Sequence, residues 1–187
     1  MADRDVYTLP DDLPVPEDDG ASVGLEGRRL PALELPASTG GELRLTDLGS
    51  EGTAVLFIYP RTGKPGEPLP PGWDLIPGAR GCTPQSCAFR DLHSEFTERG
   101  VGVVGLSAQS VEDQREFAER VHLRFPVLSD PGLKLAEALG LPSFEVAGMT
   151  LYKRVTLVIR DGVIAKVFYP VFPPDRNAAD VLAWLAG

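Results

Sequence analysis

Apolar residues in this chain occur in short runs that predict the strands of a sheet. Two continuous runs, at 54–59 and 101–107, have strand length and no polar face, as expected of strands buried on both sides. At 155–159 apolar side chains alternate with their neighbours, and Asp161-Gly162 supplies a two-residue turn to a partner strand at 163–169. The pattern therefore predicts a buried sheet that includes a hairpin near the C-terminus.

Helical periodicity lies between and after these strands. Apolar residues recur at three- and four-residue steps in each segment, and Ser110 with Asp113 resembles a capping box. Glycines at 100 and 140 end two of the segments. The predicted helices span 83–99, 110–121, 133–139 and 177–186. Strands and helices that alternate in this way predict an α/β fold.

The N-terminal part of the chain is predicted to hold an arm and a hairpin. Residues 1–22 are rich in proline, aspartate and glutamate, which predicts an extended or mobile arm. Leucines then alternate on either side of Ser38-Thr39-Gly40-Gly41, as in a β-hairpin. With 187 residues, 43% of them hydrophobic, residues 23–187 are expected to form a single domain.

The charge of the chain disfavours two classes of partner. The formal net charge is -9, so the basic patch that nucleic acid or an anionic membrane would require is not expected. The first residues resemble no signal peptide, and no apolar run reaches membrane-spanning length. We therefore expect a soluble cytoplasmic protein, and the acidic arm and exposed strand edges are compatible with a monomer.

The two cysteines, Cys82 and Cys87, lie at the start of the first predicted helix. Thr83 is a suitable N-cap, and Pro84 would then occupy the first helical position, where its missing donor costs nothing. Cys82 would lie at the positive end of the helix dipole, beside free N–H donors, which favours the thiolate. This arrangement predicts a redox site.

The spacing of the cysteines limits what they can do. Residues five apart in a regular helix have Cα atoms about 8 to 9 Å apart, whereas a disulfide requires roughly 4.4 to 6.8 Å. Either the pair is idle, or its chemistry requires the first turns to unwind. Four intervening residues also argue against a CxxC oxidoreductase motif and against structural zinc, so no metal site is predicted.

The stretch Gly-Cys-Thr-Pro-Gln-Ser-Cys-Ala-Phe-Arg-Asp at 81–91 resembles the active-site signature of the Q-type peroxiredoxins, the bacterioferritin comigratory protein branch. The similarity runs from about residue 25 to 185. It implies a thioredoxin-like fold, with a central mixed sheet flanked by helices and an N-terminal β-hairpin. It also implies a thiol peroxidase for hydrogen peroxide and organic hydroperoxides. Cys82 would be peroxidatic and Cys87 resolving, with a thioredoxin-like dithiol as reductant and no cofactor.

The same resemblance implies roles for further residues. Arg154 matches the family's active-site arginine, and Gln85 matches the residue that orients that arginine. Pro60 matches the beginning of the family's active-site loop, and Gly81 its end. The family carries a Thr or Ser three residues before the peroxidatic cysteine. In this chain Ala79 takes that position, so Thr62 is a candidate for the missing hydroxyl, or the hydroxyl's role is lost.

The segment between these landmarks, 61–80, is enlarged and dense in proline and glycine, which predicts a long loop ending on the reactive cysteine. Trp73, Leu75 and Ile76 could form a lid over the thiolate, or the tryptophan could pin a surface loop. The enlarged loop keeps a rival hypothesis open: a non-enzymatic redox-responsive binding protein, switched by a Cys82–Cys87 disulfide. A thioredoxin fold that has lost its activity is a third.

Overall fold

The computed structural model describes residues 5–187, and the first four residues of the predicted arm lie outside the described part. The strands are β1 Glu34–Pro36, β2 Glu42–Arg44, β3 Thr53–Ile58, β4 Val101–Ser107, β5 Val127–Ser129, β6 Ser143–Val146, β7 Met149–Tyr152, β8 Val155–Arg160 and β9 Val163–Phe168. The helices are α1 Cys82–Asp91, α2 His93–Glu98, α3 Val111–Arg120, α4 Lys134–Leu139 and α5 Asn177–Ala186. Within residues 5–187, every helix is too short or too polar to cross a bilayer.

Five strands form one mixed sheet in the order β5-β4-β3-β8-β9. β3 runs parallel to β4 and antiparallel to β8, which confirms the predicted mixed sheet. Ile58, the last residue of β3, pairs with Leu106 on one side and with Val155 on the other. This register brings the loop after β3, the loop after β4 and the residue before β8 to one edge of the sheet.

Both faces of the sheet are covered, as the apolar runs predict. Alternate residues of β3 point into two separate cores. On one face Phe57 stacks on Phe89 of α1, with ring centroids 4.4 Å apart, so the cysteine helix rests directly on the central strand. On the other face Leu56 packs with Leu35 of the N-terminal hairpin, which forms as predicted from β1 and β2.

The cysteine helix differs from its prediction at both ends. It begins at Cys82 with Gly81 as N-cap, at φ 102°, and Thr83 makes no capping hydrogen bond. Glycine adopts this φ without a Cβ clash, which lets the helix start before Thr83. Pro84 becomes the third helical residue, a position where a backbone N–H has no partner within the helix, so the donor that proline lacks is not needed. At the other end, non-helical backbone at Leu92 divides the predicted single helix into α1 and α2.

A second hairpin, β6-β7, has no counterpart in the sequence prediction. Its turn is Ala147-Gly148, with φ of 49° and 76°. Such turns normally carry Asn or Gly at the first position, so the sequence with Ala147 there does not indicate a turn. The hairpin packs Phe144 and Leu151 near Trp73 of the long loop, and thereby supports one side of the site.

Candidate active site

Cys82 lies at the first position of α1, buried at the edge of the sheet where the loops meet. Its side chain is only 2% exposed. Gly81 precedes it, and a methyl group added there would lie 2.6 Å from Pro174 Cγ and 2.7 Å from Leu9 Cδ2. Gly81 is therefore required both by its positive φ and by the close approach of two neighbours.

Arg154 immediately precedes β8, and its guanidinium reaches the cysteine. Nη2 lies 3.2 Å from Cys82 Sγ, and it also lies within 3.2 Å of the carbonyl oxygens of residues 78–80. The side chain is 3% exposed. The guanidinium places a buried positive charge against the sulfur, and its bonds to the preceding loop hold the backbone around it. The structure thus brings Cys82 and Arg154 together.

Gln85 fixes the arginine from the opposite side. Its Oε1 accepts from Arg154 Nη1, and its Nε2 donates to Asn177 Oδ1 at 3.0 Å. Asn177 Oδ1 also accepts from Thr156 Oγ1 at 2.7 Å. These four buried side chains form one chain of hydrogen bonds that ends at the sulfur of Cys82.

Sequence reasoning did not identify Asn177 and Thr156 as part of the site. Thr156 is a polar residue within an apolar strand, and Asn177 begins the last helix after two prolines. Because a buried polar side chain needs a hydrogen-bond partner, the polar character of Thr156 and Asn177 at buried positions is the sequence signal that such a partner exists. Gln85, the partner of Asn177, is 92 positions away along the chain, so the pairing depends on the tertiary fold.

Asn177→Ala is expected to destabilise the fold by about 1–3 kcal/mol, because the buried amide of Gln85 and the hydroxyl of Thr156 would lose their acceptor. Urea unfolding measures the change. Asp180→Ala, at an exposed position of the same helix, is the matched control and is expected to stay within about 0.5 kcal/mol of the parent. Equal midpoints for both variants would contradict a structural role for this hydrogen-bond chain.

Thr62 and Pro60 lie at the beginning of the long loop, but Thr62 does not face the cysteine. Its N–H and its hydroxyl both donate to Gln109 Oε1, at 2.9 and 3.2 Å. The hydroxyl is committed to the end of β4, where it anchors the loop. Pro60 is buried directly after Tyr59. Ala79 is fully buried, and its carbonyl, not a hydroxyl, is turned toward Arg154.

The space in front of Cys82 is a small chamber of about 10 Å³. Its walls include Val6 of the arm, Leu69 and Trp73 of the loop, and Thr83 of α1. A volume of this size holds about one water-sized group. Of the three residues predicted as a lid, only Trp73 lines the chamber. Leu75 is 81% exposed, and Ile76 lines a separate cavity of about 440 Å³.

Cys87 lies in the same continuous helix, half-buried and not bonded to Cys82. Burial raises the pKa of its thiol, and the nearby Arg90 guanidinium opposes this only in part. The two cysteines therefore differ in environment: Cys82 lies in contact with the Arg154 guanidinium, whereas Cys87 lies half-buried with the pKa of its thiol raised. Among residues 5–187, no group of three or more His, Cys, Asp or Glu side chains could hold a metal ion.

Comparisons with known proteins show which proteins this chain resembles. Residues 25–182 match the Redoxin family model. A Mycobacterium tuberculosis protein that carries the name peroxiredoxin is 35% identical over 153 residues, covering 81% of this chain and 90% of its own. The chloroplastic peroxiredoxin Q of Populus jackii is 30% identical, with 86% and 67% covered.

A solved structure extends the comparison to the fold. The crystal structure of peroxidoxin BcpB from Mycobacterium tuberculosis superposes with a TM-score of 0.70 at 34% identity, covering 86% of this chain and 96% of that one. The thioredoxin-like peroxiredoxin fold expected from the sequence is thereby confirmed.

Proposed function

We propose that Cys82 and Cys87 are the redox pair of a thiol-dependent peroxidase, because this chain belongs to the Q-type peroxiredoxins of the Redoxin family. Family membership supports a peroxidase that uses a peroxide substrate and a thiol reductant. The finer assignments, namely the two-cysteine route, the peroxides and the reductant, are our proposal. The observation that carries it is the 3.2 Å contact between Arg154 Nη2 and Cys82 Sγ.

In the first step the Cys82 thiolate attacks one oxygen of hydrogen peroxide or of an organic hydroperoxide. The sulfur–oxygen bond forms as the oxygen–oxygen bond breaks, and the leaving oxygen takes a proton and departs as water or an alcohol. Arg154 stabilises the thiolate and the charge that develops on the leaving oxygen, and Gln85 holds the guanidinium in place. Cys82 is left as a sulfenic acid.

In the second step Cys87 attacks the sulfenic sulfur, forming a disulfide and releasing water. Because both cysteines lie in one helix, their Cα atoms are about 8 to 9 Å apart and the bond cannot form in this conformation. The first turns of α1 must therefore unwind, so that residues 82–88 rearrange. A thioredoxin-like dithiol then reduces the disulfide and is itself oxidised. No second subunit is needed, and we propose that the protein acts as a monomer.

The role of Cys87 is tested by the mass of the protein after oxidation. With one equivalent of peroxide, the parent is expected to lose two hydrogens as the internal disulfide forms. Cys87→Ser leaves no thiol to trap the sulfenic acid, so excess peroxide should carry Cys82 to sulfinic acid, a gain of two oxygens. Intact-mass spectrometry distinguishes these products. A parent protein that gains oxygen and keeps its hydrogens would contradict a resolving role for Cys87.

A second candidate, a non-enzymatic redox-responsive binding protein, is favoured by the small size of the chamber at Cys82. In that case the disulfide would change a surface formed by the 61–80 loop and α1. Multiple turnovers of peroxide with thioredoxin and its reductase would exclude this candidate. A single stoichiometric oxidation without turnover would favour it over the peroxidase.

A further inference from the structure

Residues 5–9 of the N-terminal arm, the lid segment, pack over the start of α1. A methyl group added at Gly63 would lie 2.8 Å from Val6 Cγ1, and one added at Gly81 would lie 2.7 Å from Leu9 Cδ2. Both glycines line the chamber of Cys82. The lid segment is therefore in close contact with the loop on one side of the chamber and with the helix start on the other.

Two polar contacts hold the lid segment in place. The carbonyl oxygen of Asp5 accepts from Arg80 Nη2 at 2.7 Å, and Arg80 is itself only 5% exposed. The hydroxyl of Tyr7 accepts from Arg120 Nη1 at 2.9 Å, with the guanidinium carbon 5.8 Å from the ring centre. These contacts lie on either side of Val6 in the chain and direct its side chain toward the chamber.

Val6 limits the size of the chamber. The free volume of about 10 Å³ accommodates about one water-sized group, and Val6 shares the wall with Leu69 and Trp73. Hydrogen peroxide, with two oxygen atoms, requires little more room than this. The carbon substituent of an organic hydroperoxide needs additional room, and Val6 is one of the side chains that line the space beside Cys82.

We propose that Val6 is a specificity-determining residue that favours hydrogen peroxide over bulky organic hydroperoxides at Cys82. Large substrates react only when the lid segment lifts from the loop and from Gly81. This inference rests on the peroxidase function proposed above and refines its substrate class.

The test compares kcat/KM for cumene hydroperoxide with kcat/KM for hydrogen peroxide. Val6→Ala removes two methyl groups from the chamber wall, and it is expected to raise this ratio by roughly 10-fold. Val23→Ala, the same change at a site that is 85% exposed, is the matched control and should leave the ratio unchanged. An unchanged ratio in Val6→Ala, or equal acceleration with both peroxides, would overturn the proposal.

A second measurement does not depend on peroxidase activity. With Cys87→Ser in every protein, Cys82 is the only thiol, and its alkylation by N-ethylmaleimide reports access to the chamber. Val6→Ala is expected to accelerate alkylation by roughly 10-fold relative to Val23→Ala. Peroxide turnover is measured in the matching proteins that keep Cys87. Faster alkylation of Val6→Ala, with no turnover in any of those matching proteins, would refute the proposed function and support the lid. Normal turnover with unchanged alkylation would refute the lid alone.

Discussion

Cys82→Ser is expected to lower peroxide turnover by roughly 10³-fold or more, because loss of a catalytic nucleophile removes the step on which all others depend. A serine hydroxyl beside Arg154 remains protonated at neutral pH and is not oxidised to an equivalent of sulfenic acid. Peroxide consumption coupled to thioredoxin reductase measures the rate. The 3.2 Å contact with the guanidinium is what singles out this sulfur.

The matched control is Cys87→Ser, which removes the other sulfur of the same helix. It is expected to lose turnover with thioredoxin but to keep the first, stoichiometric oxidation at a rate near that of the parent. A Cys82→Ser protein that consumed peroxide as fast as the parent would show that Cys82 is not the nucleophile.

Arg154→Met is expected to reduce the rate of the first oxidation by roughly 10²- to 10³-fold, the usual effect of removing a donor that stabilises developing charge. Methionine retains much of the side-chain volume but donates no hydrogen bond. Sulfur would lose its adjacent cation, and Gln85 would lose the group it orients. Rapid-mixing measurement of the first turnover separates this effect from the reductant steps.

Two further variants make the arginine test specific. Arg154→Lys keeps the charge but cannot contact both Gln85 and Cys82 with a planar fork, so it is expected to restore only part of the rate. Arg99→Met makes the same change at an exposed position after α2 and should leave the rate unaltered. Full activity in Arg154→Met would exclude a catalytic role for the arginine.

The elements that sequence predicted well are those whose pattern is local. The apolar runs give β3 and β4 because a strand buried on both faces needs no polar positions, and Gly140 ends α4 at positive φ as predicted. The hairpin β6-β7 was missed because Ala147 occupies a turn position that usually signals itself by Asn or Gly. The break at Leu92 has no marked sequence signal.

The candidate site was predictable only as far as its signature extends. Cys82 was indicated by its position at a helix start, Gln85 and Arg154 were indicated by the family resemblance, and the structure brings all three together. The expectation for Thr62 depended on an unknown loop path, and the loop turns its hydroxyl to Gln109 instead. Asn177 could not be assigned, because its contact with the site arises only when the last helix packs against α1.

Gly81, which precedes the first turn of α1, packs against two segments that are distant from it in sequence. Leu9 and Pro174 lie so close to Gly81 that a methyl group there would clash with both, so unwinding of the start of α1 is expected to displace these neighbours. If the proposed disulfide forms, we expect it to loosen both the N-terminal tail and the segment that leads into the last helix.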